Sequence, residues 1–271
     1  MAAPSGRSAA VLGATGAVGK EIVKSLLARN WTSVTLLNRR PTKDLFPKDG
    51  RIVEMVVPME NGEVNGALEQ ACERIFREQK TSSLFIAMGV GAPSKTTEEV
   101  VRRVDLHLPS ACVRGAKSSG IVQHVSILTA VGADVAAVPA TSDALFGLIP
   151  RTRASGGLYN HLKGKIEENI KALDFQTAST FRPATLIGTP NTPGYIATLA
   201  RWFDGVVPDL YKLSDVQTLG CAMVVDAEHQ LEKGRAGSNS FSILEGTVLH
   251  TLYKSCVSNS NVGSATLKAD L

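Results

Sequence analysis

The sequence predicts an α/β fold: a doubly wound parallel sheet with helices on both faces and a small C-terminal extension. Three observations carry this. A short apolar strand over Ala9–Leu12 runs into a glycine turn and then into an amphipathic helix. Strands and helical stretches then alternate as far as a fifth strand, the pattern left by parallel strands joined through crossover helices. The chain, with 271 residues of which 44% are hydrophobic, is long enough to bury one sizeable core.

The first turn reads Gly13-Ala14-Thr15-Gly16-Ala17-Val18-Gly19. Gly13 permits a tight turn, Gly16 lets backbone approach a phosphate, and Gly19 lets helix pack closely on strand. Val18, Ile22 and Leu26, with Val23 and Leu27 beside them, form the buried stripe of the helix. Its first N–H groups lack intrahelical partners and attract an anion. A dinucleotide is therefore expected here, against Gly13, Thr15, Gly16, Ala17, Val18 and Gly19.

Val34–Leu37 is the second strand, and Asn38-Arg39-Arg40 follows it. An acidic residue at this place binds the free 2′-hydroxyl of NAD, whereas arginine accommodates the 2′-phosphate of NADP. Two adjacent guanidiniums point to NADP(H). Charge-assisted hydrogen bonds contribute about 1.5–3 kcal/mol each. Discounted for solvent, that is a preference of roughly ten- to several hundredfold.

Arg51–Val57 reads as a third strand, followed by a helix with Val64, Leu68, Cys72, Ile75 and Phe76 at helical spacing. Ser83–Gly91 is a fourth strand ending in glycines, so Met88 and Gly89 are placed beside the cofactor, where ligands of open α/β sheets collect. Residues 96–117 read as helical in two parts joined near Asp105 and Pro109, since proline is tolerated only near a helix start. Ile121–Thr129 is the fifth strand. Residues 130–157 are irregular and read either as cover for a substrate pocket or as a contact surface for a protein partner.

Tyr159 and Lys163 stand four apart on the next helix, whose stripe continues through Ile166, Ile170 and Leu173. A free phenol titrates near pH 10 and is a poor proton carrier at neutral pH. A nearby ammonium, together with an oxidised nicotinamide, is expected to bring it toward working range. Ala178–Gly188 reads as a sixth strand, the run Thr189–Gly194 is broken by prolines, and Ile196–Phe203 and Gly220–Leu231 have helical spacing. Phe241–Gly246 is a late strand before a final helix, and the polar stretch 257–271 is expected to be a flexible tail.

Net charge is only +4, with both signs scattered, which argues against nucleic acid as a partner. The four cysteines form no C-x-x-C pair and, with the five histidines, no metal-ligand spacing, so reduced thiols and no metal are expected. No stretch reaches the ~18 apolar residues of a membrane span. The first strand follows Met1–Arg7 at once, leaving no room for an apolar signal region; the cytoplasm is the expected compartment.

Taken together, Gly13-Ala14-Thr15-Gly16-x-x-Gly19, Arg39-Arg40, Arg103-Val104-Asp105, Tyr159-x-x-x-Lys163 and Phe181-Arg182-Pro183 resemble the short-chain dehydrogenase/reductase superfamily. Within it, the chain is similar to the atypical branch containing the Tat-interacting oxidoreductases. The resemblance implies a single Rossmann-type domain over 1–256, with its core over about 8–188 and substrate-side elements over about 189–256. It also implies an NADPH-dependent oxidoreductase acting on a small carbonyl-type substrate through a Ser/Thr–Tyr–Lys set. There Thr129 orients the substrate, Tyr159 exchanges the proton, Lys163 holds the ribose, and backbone near Leu186 meets the nicotinamide. Ser126 is the other hydroxyl on the fifth strand, but it lies about 10 Å deeper. The alternative function is an NADPH-binding regulatory protein with little turnover.

Overall fold

The computed structural model describes residues 6–60, 65–137, 156–189, 208–235, 237, 239–254 and 256. Val64, residues 138–155 of the irregular segment, Pro190–Gly194, the 196–203 helix and the 257–271 tail lie outside them. β1 (Ser8–Leu12), β2 (Ser33–Asn38), β3 (Ile52–Val56), β4 (Ser83–Ile86), β5 (His124–Leu128), β6 (Thr177–Phe181) and β9 (Ser240–Leu244) form one seven-stranded sheet. Its order is β3-β2-β1-β4-β5-β6-β9, and every neighbouring pair is parallel. The order reverses between β1 and β4, and outside the carboxyl ends of those strands the diverging chain leaves a crevice.

α1 (Ala17–Ala28) and α6 (Val216–Arg235) cover one face. α2 (Ala67–Glu78), α4 (Leu108–Ser119) and α5 (Gly156–Ala172) cover the other. Each face has its own core. Ile22, Leu26, Trp31 and Phe85 anchor the first, where the Trp31 and Phe85 rings meet edge to face at 5.9 Å. Leu12, Phe76, Leu84 and Ile166 belong to the second. The central strands are buried on both faces, which is why they read as unbroken apolar runs.

The helical stretch over 96–117 falls in two parts joined at Asp105, as its sequence reads: α3 (Glu98–Arg102) passes into α4, with Pro109 in its first turn, through a wide turn over Arg103–His107, where the Leu108 N–H reaches back to the Arg103 carbonyl. A regular helix would press the Pro109 ring onto the carbonyl four residues earlier, and the extra residue in the turn relieves that. The sixth strand, expected to run to Gly188, needs correction: it stops at Phe181. The Arg182 N–H donates to the Leu244 carbonyl, Pro183 has no N–H to continue the ladder, and the chain departs. It resumes as β7 (Leu186–Ile187), which pairs with β8 (Ser214–Asp215) in a separate two-stranded ribbon.

Candidate active site

Gly13 has a φ of +88°, and a Cβ there would lie 2.8 Å from the Ala87 carbonyl carbon at the end of β4. At Gly19 a Cβ would lie 2.1 Å from the Gly13 oxygen, so α1 seats directly on the turn. Gly16 is different: its nearest neighbour would be the Gly13 oxygen at 3.3 Å. Gly16 is also the N-cap of α1 and no side chain caps the helix. The first intrahelical bond is from Lys20 N–H to the Gly16 carbonyl, which leaves the N–H groups of Ala17, Val18 and Gly19 without helical partners. An uncapped helix mouth behind a bare glycine fits a pyrophosphate.

Two pockets open from this mouth. One, of about 380 Å³, is lined by Gly13, Thr15, Asn38, Arg39, Met88 and Arg103, among others. The other, of about 530 Å³, is lined by Gly16, Ala17, Val18, Met88, Gly89, Thr129, Tyr159, Lys163 and Leu186, with further residues between. Met88 lines both. The site residues expected from sequence are thus brought together, with two qualifications. Arg40 is exposed and does not line either pocket, and Gly19 acts through packing. A carboxylate also enters from the neighbouring strand: Glu54 Oε1 accepts from Asn38 Nδ2 at 2.8 Å and from the Thr42 N–H at 2.6 Å. That acceptor is already engaged, and Arg39 remains the charged side chain of β2's end that faces the pocket.

In the larger pocket, Lys163 Nζ lies 5.5 Å over the Tyr159 ring centroid. Its principal partner is Asp105, whose Oδ1 is 2.8 Å away, and it also donates to the Leu128 carbonyl at 3.4 Å. Burial alone would lower the Lys163 ammonium's pKa; Tyr159, Asp105 and Glu167 outweigh it and hold the pKa above its ordinary value. For Tyr159, burial pushes the phenol up, Lys163 pulls it down, and Asp105 pushes it up again. In the protein alone the phenol is therefore raised: burial is the main cause and the carboxylate at 105 adds to it. The expected depression was tied to Lys163 acting together with an oxidised nicotinamide.

Thr129 lines the larger pocket, but its hydroxyl lies 2.6 Å from Glu167 Oε1 and 3.3 Å from the Phe181 carbonyl. Its single proton is engaged there. Ser126 is fully buried on β5 and lines neither pocket. His161 turns toward the Val135 carbonyl at 2.7 Å. Among the described residues no group of three or more His, Cys, Asp or Glu side chains is placed to hold a metal ion.

Asp105 and Arg103 are the residues whose part was not read from sequence. Asp105 had a signal: with Val101, Leu108 and Cys112 it occupies one face of the helical stretch, a carboxylate on an otherwise apolar stripe.

Residues 9–195 match the NAD dependent epimerase/dehydratase family, and the chain belongs to it. This makes the protein an oxidoreductase-type member of the short-chain dehydrogenase/reductase group, with a nicotinamide dinucleotide as the class of cofactor. Rat HTATIP2 is 27% identical over 206 residues, covering 75% of this chain and 72% of that protein, in line with the Tat-interacting branch. The mitochondrial protein FMP52-1 of Scheffersomyces stipitis is 25% identical over 190 residues, 68% of this chain and 70% of that one. A short-chain dehydrogenase/reductase family oxidoreductase from Burkholderia thailandensis shares the fold with a TM-score of 0.59 at 16% identity, over 91% of this chain and 94% of that one. Bordetella bronchiseptica WbmH, solved with NAD+, has a TM-score of 0.57 at 14% identity, over 88% and 75% of the two chains.

The cytoplasmic expectation is overturned by these relatives, since several fungal ones are named as mitochondrial proteins. Among the described residues no helix is long and apolar enough to cross a membrane.

Proposed function

We propose that the chain is an NADP(H)-dependent oxidoreductase that transfers a hydride to a small carbonyl-type substrate, with Tyr159 as the proton donor. One observation carries the reading: Tyr159 and Lys163 open into the same cleft as the uncapped mouth of α1. The pyrophosphate would rest on the N–H groups of Ala17 and Val18, with Thr15, Asn38 and Arg39 toward the adenosine end. Met88, Gly89, Lys163 and Leu186 would hold the nicotinamide end. When bound, the cofactor supplies the hydride. Tyr159 holds the proton that a carbonyl oxygen gains, and its raised phenol keeps that proton in place at neutral pH. Arg39, with Arg103 lining the same pocket, supports NADP over NAD, because a 2′-phosphate gains charge-assisted bonds that a hydroxyl does not.

The test is NADPH consumption against a panel of aldehydes and ketones, with Tyr159→Phe as control. Turnover that disappears in the variant while NADPH binding persists supports the reading. One observation favours a second reading, an NADPH-binding regulatory protein acting through a partner: the Thr129 hydroxyl is engaged by Glu167 and not offered to a substrate. Absence of turnover in both proteins, with NADPH still raising thermal stability, would select that reading.

A further inference from the structure

We propose that Asp105 is a positioning residue for Tyr159 and Lys163, and that its carboxylate, acting through the lysine, sets the pH at which this pair gives up a proton. The catalytic meaning of this proposal rests on the oxidoreductase reading above.

Lys163 and Asp105 form the most deeply buried ion pair among the described residues, with side chains 3% and 0% exposed. Asp105 sits within the wide turn over Arg103–His107, on the buried side together with Val101, Leu108 and Cys112. The second carboxylate oxygen accepts from the Val90 N–H at 3.1 Å, which fixes the group at the end of β4. Gly89 leaves room for it: a Cβ there would lie 3.0 Å from Asp105 Oδ1 and 3.5 Å from Lys163 Nζ.

Charge balance decides the effect. A neutral phenol, an ammonium and a carboxylate sum to zero, so the cleft floor is neutral without ionising Tyr159. With the carboxylate's charge removed, the same floor carries one positive charge. Loss of the Tyr159 proton then restores neutrality, with the Lys163 ammonium kept as the phenolate's counterion, and it comes at lower pH. Few other charges face the pair. Glu167, one turn along α5, is held by Arg182 from the end of β6. Lys95, on the turn packed against α5, is exposed, as is His107 on the wide turn, and Arg103 reaches the Met59 carbonyl.

The experiment is a phenol titration of the intact protein by ultraviolet difference absorbance, with Tyr159→Phe subtracted to isolate one tyrosine. Asp105→Asn is expected to move that ionisation down by at least about one pH unit, a tenfold change in the ionised fraction. The alkaline limb of kcat/KM for NADPH-dependent reduction is expected to move with it, and Asp105→Glu to restore both. Because an unpaired buried ammonium is costly, Gly89→Ala serves as a second probe if Asp105→Asn does not fold. Its methyl crowds Oδ1, loosens the pair, and moves the titration the same way by less. A shifted phenol in a protein that turns over no carbonyl supports Asp105's role while sinking the oxidoreductase reading. Turnover that falls with the phenol titration and pH limb unmoved overturns the proposal and leaves the oxidoreductase reading intact.

Discussion

The Thr129 hydroxyl donates to Glu167 across 2.6 Å, tying the end of β5 to the helix that carries Tyr159 and Lys163. Glu167 also accepts from Thr180 at 3.2 Å and from Arg182 Nε at 3.0 Å, and its second oxygen meets Arg182 Nη2. Arg182 is 17% exposed on its side chain and Glu167 only 6%, so this is a largely desolvated cluster. Glu167→Ala leaves Arg182, among the described residues, with only Glu245 at 3.3 Å, and takes the carboxylate from two hydroxyls; it is expected to cost about 3 kcal/mol in denaturant unfolding. Thr129→Val removes the hydroxyl shared between Glu167 and the Phe181 carbonyl and is expected to cost about 1–2 kcal/mol. Equal losses in the two variants would show that the cluster is not centred on Glu167.

The glycine turn separates folding from binding. Gly19→Ala sets a methyl against the Gly13 oxygen and is expected to destabilise by about 1–3 kcal/mol or more. Gly16→Ala brings a methyl to 3.3 Å from the Gly13 oxygen, a tighter contact than usual but far looser than at Gly19, and is expected to cost about 1 kcal/mol or less. Gly16 lines the larger pocket, so NADPH affinity should fall at least tenfold, a change calorimetry would read directly. Unchanged affinity would mean the phosphate does not sit there.

Arg39 and Arg40 are neighbours in sequence but are placed differently. Arg39 lines the smaller pocket and Arg40 does not. Arg39→Ala is expected to weaken NADPH by about tenfold or more and to leave NADH unchanged. Arg40→Ala should have the smaller effect. Thermal shifts with each nucleotide distinguish the two, and an equal loss for NADPH and NADH in Arg39→Ala would remove the case for NADP selection.

His124 makes stability depend on pH. Burial holds its imidazole down at about 4, against an ordinary value of 6.5. A depressed imidazole is neutral when folded but takes up a proton on unfolding, so its contribution is complete above the unfolded value. It is then lost as pH falls from about 6.5 toward 4, to a total of about 3 kcal/mol. Unfolding midpoints measured across this window should fall in the parent and fall less steeply in His124→Gln. Parallel slopes would refute the assignment.

Much of the fold was legible because its signals are local. The glycine turn, the unbroken apolar strands and the Tyr159/Lys163 spacing each lie within a few residues of chain. What escaped depends on distant partners. The orientation of the Thr129 hydroxyl is set by Glu167, 38 residues later. The raised Tyr159 phenol depends first on burial and then on Asp105, carried by another helix. The early end of β6 was signalled by Pro183, but its replacement by pairing of Leu186–Ile187 with Ser214–Asp215 was not, since two-residue strands carry no periodicity.

The partnership of β6 with β9 has a consequence for how such a chain can diversify. Between Phe181 and Ser240, on strands that are immediate hydrogen-bonded neighbours, the described chain includes the β7–β8 ribbon and α6. α6 has little freedom to change, because Gly220 seats it directly on Glu21 and Ile22 of α1. The ribbon is different: it pairs only with itself, outside the seven-stranded sheet. Its side of the cleft can be remodelled without disturbing the register of the strands that carry the glycine turn.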